Sequence, residues 1–144
     1  MIAVDTNILV YAHREDSAHH EAAHAALRAL VEAGRPWAVP WSCVHEFLAV
    51  VTHPRIYRPP TDPTAAASAI SSLLELPGAT AISETAGYLD RLTQLIKSSR
   101  ISGPKIHDAR IAALCLSHGI SELWTADRDF SYFPELPTRN PLVS

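Results

Sequence analysis

Short apolar runs alternate with longer segments of helical periodicity along this chain. The runs typical of buried strands are "IAV" at 2–4, "PWAVP" at 36–40, "GATAI" at 78–82 and "ELWT" at 122–125. The pattern predicts helices at 6–14, 17–34, 42–54, 64–76, 84–100 and 104–119, and a last extended piece at 141–144 ("PLVS"). Strands that alternate with such helices indicate an α/β fold, with a parallel sheet covered on both faces.

The last predicted helix carries a carboxylate on its apolar side. Pro104 suits a first helical position and Gly119 suits a stop, and for the second helix Ser17 is the predicted cap and Gly34 the stop. Steps of three and four residues place Asp108 on the stripe formed by Ile111, Ala112, Cys115 and Leu116. A favourable position near the positive end of the helix dipole is one explanation, and a functional role is the other.

Length and composition indicate an ordinary globular protein. The 144 residues are predicted to form one domain, 1–144, large enough to bury a core without disulfides. No apolar run reaches the roughly 18 residues of a membrane span, and no secretory signal is evident, so we expect a cytoplasmic protein without a membrane segment. Cys43 and Cys115 lie in apolar helical stretches without metal-ligand spacing, and are predicted to be free, buried thiols.

Charge limits how the chain could hold nucleic acid. Its net charge of −3 lacks the strongly basic footprint of proteins that bind nucleic acid by bulk electrostatics. Two loops concentrate basic residues beside Pro, Gly or Ser, at 53–60 ("HPRIYRPP") and 97–105 ("KSSRISGPK"). Either loop could contact phosphate, and solvated loop charge is the alternative for both.

Four acids are predicted to meet at one edge of the sheet. Asp5 follows the first strand and Asp127 follows the strand that ends at Thr125, so both project from the carboxyl ends of strands. Glu46 and Asp108 lie in the first turns of helices that start at that edge. Each acid also has a structural explanation, as a helix cap, an exposed helical residue or a turn residue. Their convergence favours a bound cation, because clustered like charges repel one another.

The nature of the ligands predicts which metal would bind. Carboxylates without a Cys or His set at zinc spacing indicate Mg²⁺ or Mn²⁺. "HEFLA" at His45 resembles the start of a zinc-protease motif, but Ala49 stands where its second histidine would be. His20 and His24 share one helix face and are predicted to be surface residues.

With these residues in view, the chain resembles the PIN-domain ribonucleases, and among them the VapC toxins of bacterial toxin–antitoxin pairs. The resemblance covers nearly the whole chain: "VDTNILVYA" at 4–12, the helical Glu46, "HDARIAAL" at 107–114 and "LWTADRDF" at 123–130. No single piece is decisive, and their order and spacing together make the match specific.

The resemblance implies a fold and a set of roles. The fold is an α/β/α sandwich on a short parallel sheet, usually dimeric. The implied catalytic and metal-binding acids are Asp5, Glu46, Asp108 and Asp127, with Asn7 and Thr125 as supporting hydrogen-bond partners. Asp129 is a possible addition to the metal ligands, because a neighbouring acid can share the role of the fourth.

The implied activity is metal-dependent hydrolysis of phosphodiester bonds in structured RNA, such as transfer or ribosomal RNA. The implied partners are that RNA, a cognate VapB-type antitoxin and a second copy of the chain. We expect the antitoxin to bury an apolar segment against the helices around residues 17–54, and to place a basic side chain among the acids.

Two other functions compete with this interpretation. A PIN-like module that binds RNA or a partner without cutting is the first, although loss of an acid would have been its sign and all four are present. An Mg²⁺-dependent phosphoacceptor signalling domain is the second. It would need paired acids after the first strand and an acceptor Asp after the third, and "GATAISETA" offers no such Asp.

Overall fold

The computed structural model describes residues 1–143 and is built around a five-stranded sheet. Its strands are β1 (Ile2–Val4), β2 (Trp37–Pro40), β3 (Ala79–Ile82), β4 (Glu122–Trp124) and β5 (Thr138–Arg139), in the spatial order β3-β2-β1-β4-β5. Every neighbouring pair is parallel. The predicted α/β class and parallel sheet are therefore confirmed.

Within residues 1–143, six helices and one 3₁₀ turn connect the strands. The helices are α1 (Thr6–His13), α2 (His20–Glu32), α3 (Trp41–Val51), α4 (Pro63–Leu74), α5 (Tyr88–Ser99) and α6 (Lys105–Ser117), and the 3₁₀ turn is Arg128–Tyr132. Contacts link α1 to α2 and α3, and α3 to α4, whereas α5 and the 3₁₀ turn pack on α6. The two groups cover opposite faces of the sheet and enclose one continuous apolar core.

Local chemistry explains where several helices begin. Asp5 caps α1 by accepting a 2.8 Å hydrogen bond from the Thr6 amide, and Asp62 caps α4 through the Thr64 and Ala65 amides. Pro104, predicted as the first helical residue, directly precedes α6, so that helix begins one position later than predicted. The predicted boundaries of these helices agree with the structure to within a few residues.

Two predicted helix starts were wrong. Ser17 does not cap α2, because its hydroxyl accepts from the His19 amide in a turn that precedes the helix. The helix predicted at 84–100 begins only at Tyr88, because Gly87 before it has a φ of 82°, outside the helical region.

The last extended piece lies earlier than predicted. Pairing with Leu123 and Trp124 selects Thr138 and Arg139 as β5, whereas the Leu142 amide donates to Asn140 Oδ1 in a turn. Ser144, the end of the predicted piece, lies outside the described residues.

The two central strands set up a crevice. From β1 the chain passes to α1 on one face, and from β4 it passes to the 3₁₀ turn on the other, while β1 and β4 lie side by side. In open parallel sheets, ligands bind at such a switch point, beyond the carboxyl ends of the strands.

Cys43 and Cys115 are buried and free, as predicted. Within residues 1–143, no helix is both long enough and apolar enough to span a bilayer.

Candidate active site

A cavity of about 290 Å³ lies beyond the carboxyl ends of β1 and β4. All four predicted acids line it: Asp5, Glu46, Asp108 and Asp127. They come from four distant parts of the chain, two after strands and two from the first turns of α3 and α6. The predicted convergence at one edge of the sheet is therefore present in the structure.

Asp5 is the most deeply placed of these acids, with 4% of its surface exposed. Its Oδ2 accepts from the Thr125 hydroxyl at 2.7 Å and from Asn7 Nδ2 at 3.4 Å. Its Oδ1 accepts from the Thr6 amide at 2.8 Å and from Cys43 Sγ at 3.5 Å. Burial raises the pKa of the Asp5 carboxyl, the Thr125, Thr6 and Cys43 hydrogen bonds partly oppose that rise, and the Glu46 charge adds to it.

Asn7 and Thr125 join β1 and β4 around Asp5. Asn7 Nδ2 lies 3.3 Å from Thr125 Oγ1, and Asn7 Oδ1 accepts from the Ala126 amide at 3.1 Å. Thr125 Oγ1 also accepts from the Asp127 amide at 3.0 Å. Both residues thus lie where supporting hydrogen-bond partners were predicted, and the network fixes the backbone that carries Asp127.

Three carboxylates form a tight group at the α6 side of the cavity. One oxygen each from Asp108, Asp127 and Asp129 can be chosen so that all three lie within 4.8 Å of one another. Asp127 Oδ1 accepts from the Asp129 amide at 2.8 Å, which caps the 3₁₀ turn. Lys105 Nζ lies 3.4 Å from Asp129 Oδ1, so Asp129 differs from Asp127 in having a cation beside it.

Asp108 lies in a field of negative charge. Its pKa is raised to about 6, first by desolvation and then by the negative charges of Asp127, Asp129 and Asp5. The nearby Lys105 opposes that rise. A structural acid in a first helical turn would gain from the helix dipole, whereas this one lies in an unfavourable field of like charge.

Two further residues position the acids and were missed from the sequence. The hydroxyl of Thr6, itself 6% exposed, donates to Glu46 Oε2 at 3.1 Å and so ties the exposed Glu46 to the start of α1. Cys43 donates to Asp5, and burial raises the pKa of its thiol, so that it keeps the proton it donates. The only sequence signal for Thr6 was its place directly after Asp5, and Cys43 gave none.

The donor set fits a hard divalent cation. The side chains that face one another are carboxylates, and Mg²⁺ and Mn²⁺ prefer oxygen ligands. Among the described residues, the only group of three or more metal-ligating side chains that converge is Asp108, Asp127 and Asp129. Desolvation and then like-charge repulsion raise the pKa of Asp108, and the repulsion is the part that a cation would remove.

The other predicted features separate into those near the cavity and those away from it. Ile56 and Tyr57 of the basic loop at 53–60 line the cavity, and Lys105 of the second loop lies beside Asp129. His20 and His24 lie elsewhere on α2, with ring centroids 5.7 Å apart. His24 is exposed, as predicted, whereas His20 is half-buried and its Nδ1 lies 3.0 Å from the Tyr11 carbonyl oxygen.

Comparison with known proteins identifies the family. The PIN domain model matches residues 2–136. The VapC ribonuclease Mb2897 of Mycobacterium bovis is 35% identical over 142 residues, 99% of this chain and 96% of the relative. The ribonuclease VapC48 of Mycobacterium tuberculosis is 30% identical, with 95% and 94% of the two chains covered.

A solved structure has the same fold. The VapBC2 complex from Rickettsia felis, bound to a DNA fragment from its promoter, superposes with a TM-score of 0.71 at 19% identity, covering 97% of this chain and 98% of the other. At that identity the likeness concerns the fold, and the family rests on the sequence matches. By those matches, this chain belongs to the PIN domain family, within its VapC branch.

Proposed function

We propose that this protein is an Mg²⁺- or Mn²⁺-dependent endoribonuclease that hydrolyses phosphodiester bonds in structured RNA, as the toxin of a toxin–antitoxin pair. One observation carries the proposal: four carboxylates from distant parts of the chain line one cavity of about 290 Å³ where the sheet topology opens a crevice. The names of the relatives, which are VapC ribonucleases, support RNA as the substrate.

In this proposal the metal ligands and catalytic acids are Asp5, Glu46, Asp108 and Asp127. Asp129 is an additional ligand candidate, since one of its carboxylate oxygens lies within 4.8 Å of oxygens of Asp108 and Asp127. When bound, the cation would supply Lewis-acid activation of water and charge neutralisation at the scissile phosphate.

The protein's own residues hold the acids in place. Thr125 and Asn7 fix the Oδ2 oxygen of Asp5, and Thr6 fixes Glu46. These donors are themselves buried or half-buried, so that the carboxylates are oriented before the substrate arrives. At Asp5 the Thr125 hydrogen bond partly opposes the rise in pKa that burial causes, because it stabilises the ionised form.

Charge makes substrate binding depend on the cation. The cavity wall is acidic and the chain carries a net charge of −3, so an RNA phosphate is repelled until a cation changes the local field. Binding of RNA is therefore expected to be weak without metal and to strengthen when metal is added.

The test is cleavage of RNA by the purified protein. We expect cleavage with Mg²⁺ or Mn²⁺, none with chelator, and loss of at least 100-fold in rate for Asp5→Asn and Asp108→Asn, as is typical when metal or oxyanion stabilisation is removed. Asp90→Asn, an exposed aspartate on α5 outside the cavity, is the matched control. Wild-type rates in both cavity variants would refute the assignment.

We propose a partner for the helical face opposite α6. An apolar cavity of about 440 Å³ lies among α1, α2, α3 and α4, lined by residues such as Leu9, Leu27, Phe47 and Ile70. It overlaps the helices expected to receive the antitoxin, and an apolar antitoxin segment would fill it. A basic side chain of that segment among the acids would take the place of the cation and block cleavage.

The predicted homodimer stays a prediction, and light scattering of the purified protein would check it.

Leu76→Glu tests the antitoxin site. Leu76 borders the apolar cavity and is 38% exposed, so the charge can be introduced without disturbing the core. We expect weaker binding of the co-expressed antitoxin and unchanged RNA cleavage by the free toxin. A complex that forms stably and still cleaves RNA would contradict inhibition by occlusion.

A further inference from the structure

The acidic cavity has a second wall of different chemistry. Besides the carboxylates, it is lined by Tyr11, Val50, Ile56 and Tyr57. Ile56 is 53% exposed, which is high for a large aliphatic side chain next to a site of charged groups. A metal site alone explains the acids and leaves this apolar wall unexplained.

Arg14 packs against Tyr57, one residue of this wall. The Arg14 guanidinium lies 4.4 Å from the centroid of the Tyr57 ring. It also donates to Thr61 Oγ1 at 3.1 Å and to the Pro59 carbonyl oxygen at 3.0 Å, so it ties the segment between α3 and α4 to the end of α1. Asp16 pairs with the same guanidinium at 2.7 Å. Arg14 is thus a structural anchor with its charge already paired, and the Tyr57 ring is packed on one side.

We propose that Ile56 and Tyr57 form a platform on which a nucleobase next to the scissile phosphodiester stacks. The inference rests on the proposed ribonuclease activity and names how the same site selects its substrate. Unpaired bases stack on aromatic rings, whatever their sequence, and sequence-selective RNA proteins take up bases splayed out of loops. The volume of about 290 Å³ is at the small end for a ligand site and suits one base rather than a duplex.

The charges around the wall favour a nucleotide over a protein segment. Arg55 and Arg58 flank Ile56 and Tyr57, are both exposed, and form no ion pair among residues 1–143. An apolar platform on a segment that also carries two exposed cations matches a base attached to phosphates. An apolar antitoxin segment has a better match in the 440 Å³ cavity among α1 to α4.

The experiment compares variants on a synthetic RNA oligonucleotide whose cleavage position has been mapped by end labelling. Tyr57→Ala should raise KM about tenfold with little change in kcat, as expected for loss of one stacked base, whereas Tyr57→Phe should behave like wild type. Ile56→Ser should give a smaller rise in KM. Tyr88→Ala and Leu89→Ser, a half-buried tyrosine and an exposed leucine on α5, are the matched controls.

A second readout does not depend on turnover. An oligonucleotide with 2-aminopurine at the base flanking the cleavage site should lose fluorescence on binding wild type in the presence of Ca²⁺, and less on binding Tyr57→Ala. An abasic residue at that position should cost wild type about as much in KM as Tyr57→Ala does, with no further cost when both changes are combined.

The outcomes separate the two proposals. If wild type cuts no RNA, the proposed function fails. If wild type cuts and Tyr57→Ala is unchanged in KM and in 2-aminopurine quenching, with the variant folded, the platform is wrong and the ribonuclease stands. If Tyr57→Ala had wild-type kcat and KM on RNA but bound the antitoxin weakly, the wall would belong to the antitoxin site, and the inference would be wrong.

Discussion

The hydroxyl of Thr125 donates a 2.7 Å hydrogen bond to Asp5 Oδ2 and so connects the ends of β1 and β4 beneath the acidic cavity. Both residues are almost fully buried, at 3% and 4% exposure. The same Thr125 oxygen accepts from the Asp127 amide. One hydroxyl therefore holds both the Asp5 carboxylate and the backbone that carries Asp127.

Replacing Thr125 with Val should destabilise the protein and shift its pH dependence. Val keeps the branched shape but leaves Asp5 Oδ2 and the Asp127 amide without this partner, which is expected to cost about 1–3 kcal/mol of unfolding free energy. The lost bond lowers the pKa of Asp5, so removing it raises that pKa further. The difference in unfolding free energy between wild type and Thr125→Val is thus largest at pH values where Asp5 is ionised. It becomes smaller as the pH falls and Asp5 takes up its proton.

Urea unfolding of wild type, Thr125→Val and Thr125→Ser across pH checks this. Thr125→Ser keeps the hydroxyl and should lie close to wild type. If Thr125→Val were as stable as wild type at high pH, the hydrogen bond from Thr125 to Asp5 would make no net contribution to the free energy of unfolding.

Asp108→Asn should not lower the melting temperature in the presence of chelator, and should raise it near pH 7.5. The native pKa of about 6 lies above the ordinary 3.8, so the ionised carboxylate destabilises the fold at high pH. This loss of unfolding free energy is complete above the native pKa and becomes smaller as the pH falls through 6. It is absent below the pKa of the unfolded chain. After a discount for solvent screening we expect about 1 kcal/mol, or roughly 4 °C.

Thermal unfolding of metal-free wild type and variant between pH 4 and pH 8 measures the difference. Asp90→Asn, exposed on α5, serves as the control and should show no such pH-dependent gain. A marked loss of apo stability in Asp108→Asn would make Asp108 an ordinary structural acid.

Added Mn²⁺ should stabilise wild type far more than Asp108→Asn. A cation that binds only the folded state contributes about 2.7 kcal/mol when its concentration is a hundredfold above Kd. Asp108→Asn removes one of three carboxylates whose oxygens lie within 4.8 Å, and with it most of that affinity. The shift in melting temperature on adding Mn²⁺ to chelator-treated protein is the measurement, and equal shifts in both proteins would exclude Asp108 as a ligand.

Asp127 and Asp129 should differ in importance. The side chain of Asp129 is 53% exposed and is held by Lys105, whereas Asp127 lines the cavity and is oriented from Thr125. Asp127→Asn is therefore expected to lower the cleavage rate at least 100-fold, and Asp129→Asn less than tenfold. Single-turnover cleavage rates at saturating metal decide this, and the reverse order would make Asp129 the fourth acid.

The sequence alone determined the elements and the class of the fold. Strand and helix signals depend on neighbours within a few residues, so β1 to β4 and all six helices could be predicted from periodicity, Pro and Gly. The acids could be placed at one edge because a residue that follows a parallel strand and a residue in the first turn of the returning helix share that edge. The resemblance to a known family added their roles and the supporting Asn7 and Thr125.

The tertiary structure decided what depends on distances between remote residues. No local sequence pattern predicts four of its features. They are the order β3-β2-β1-β4-β5, the short edge strand Thr138–Arg139, the hydrogen bond from Thr6 to Glu46 and the apolar wall at Tyr57. Each is fixed by packing between segments far apart in the chain. The sequence around a polar residue does not indicate which distant residue will form its hydrogen bond. That is also why Asp108 could be found from its place on an apolar stripe, whereas its field of three neighbouring carboxylates required the folded chain.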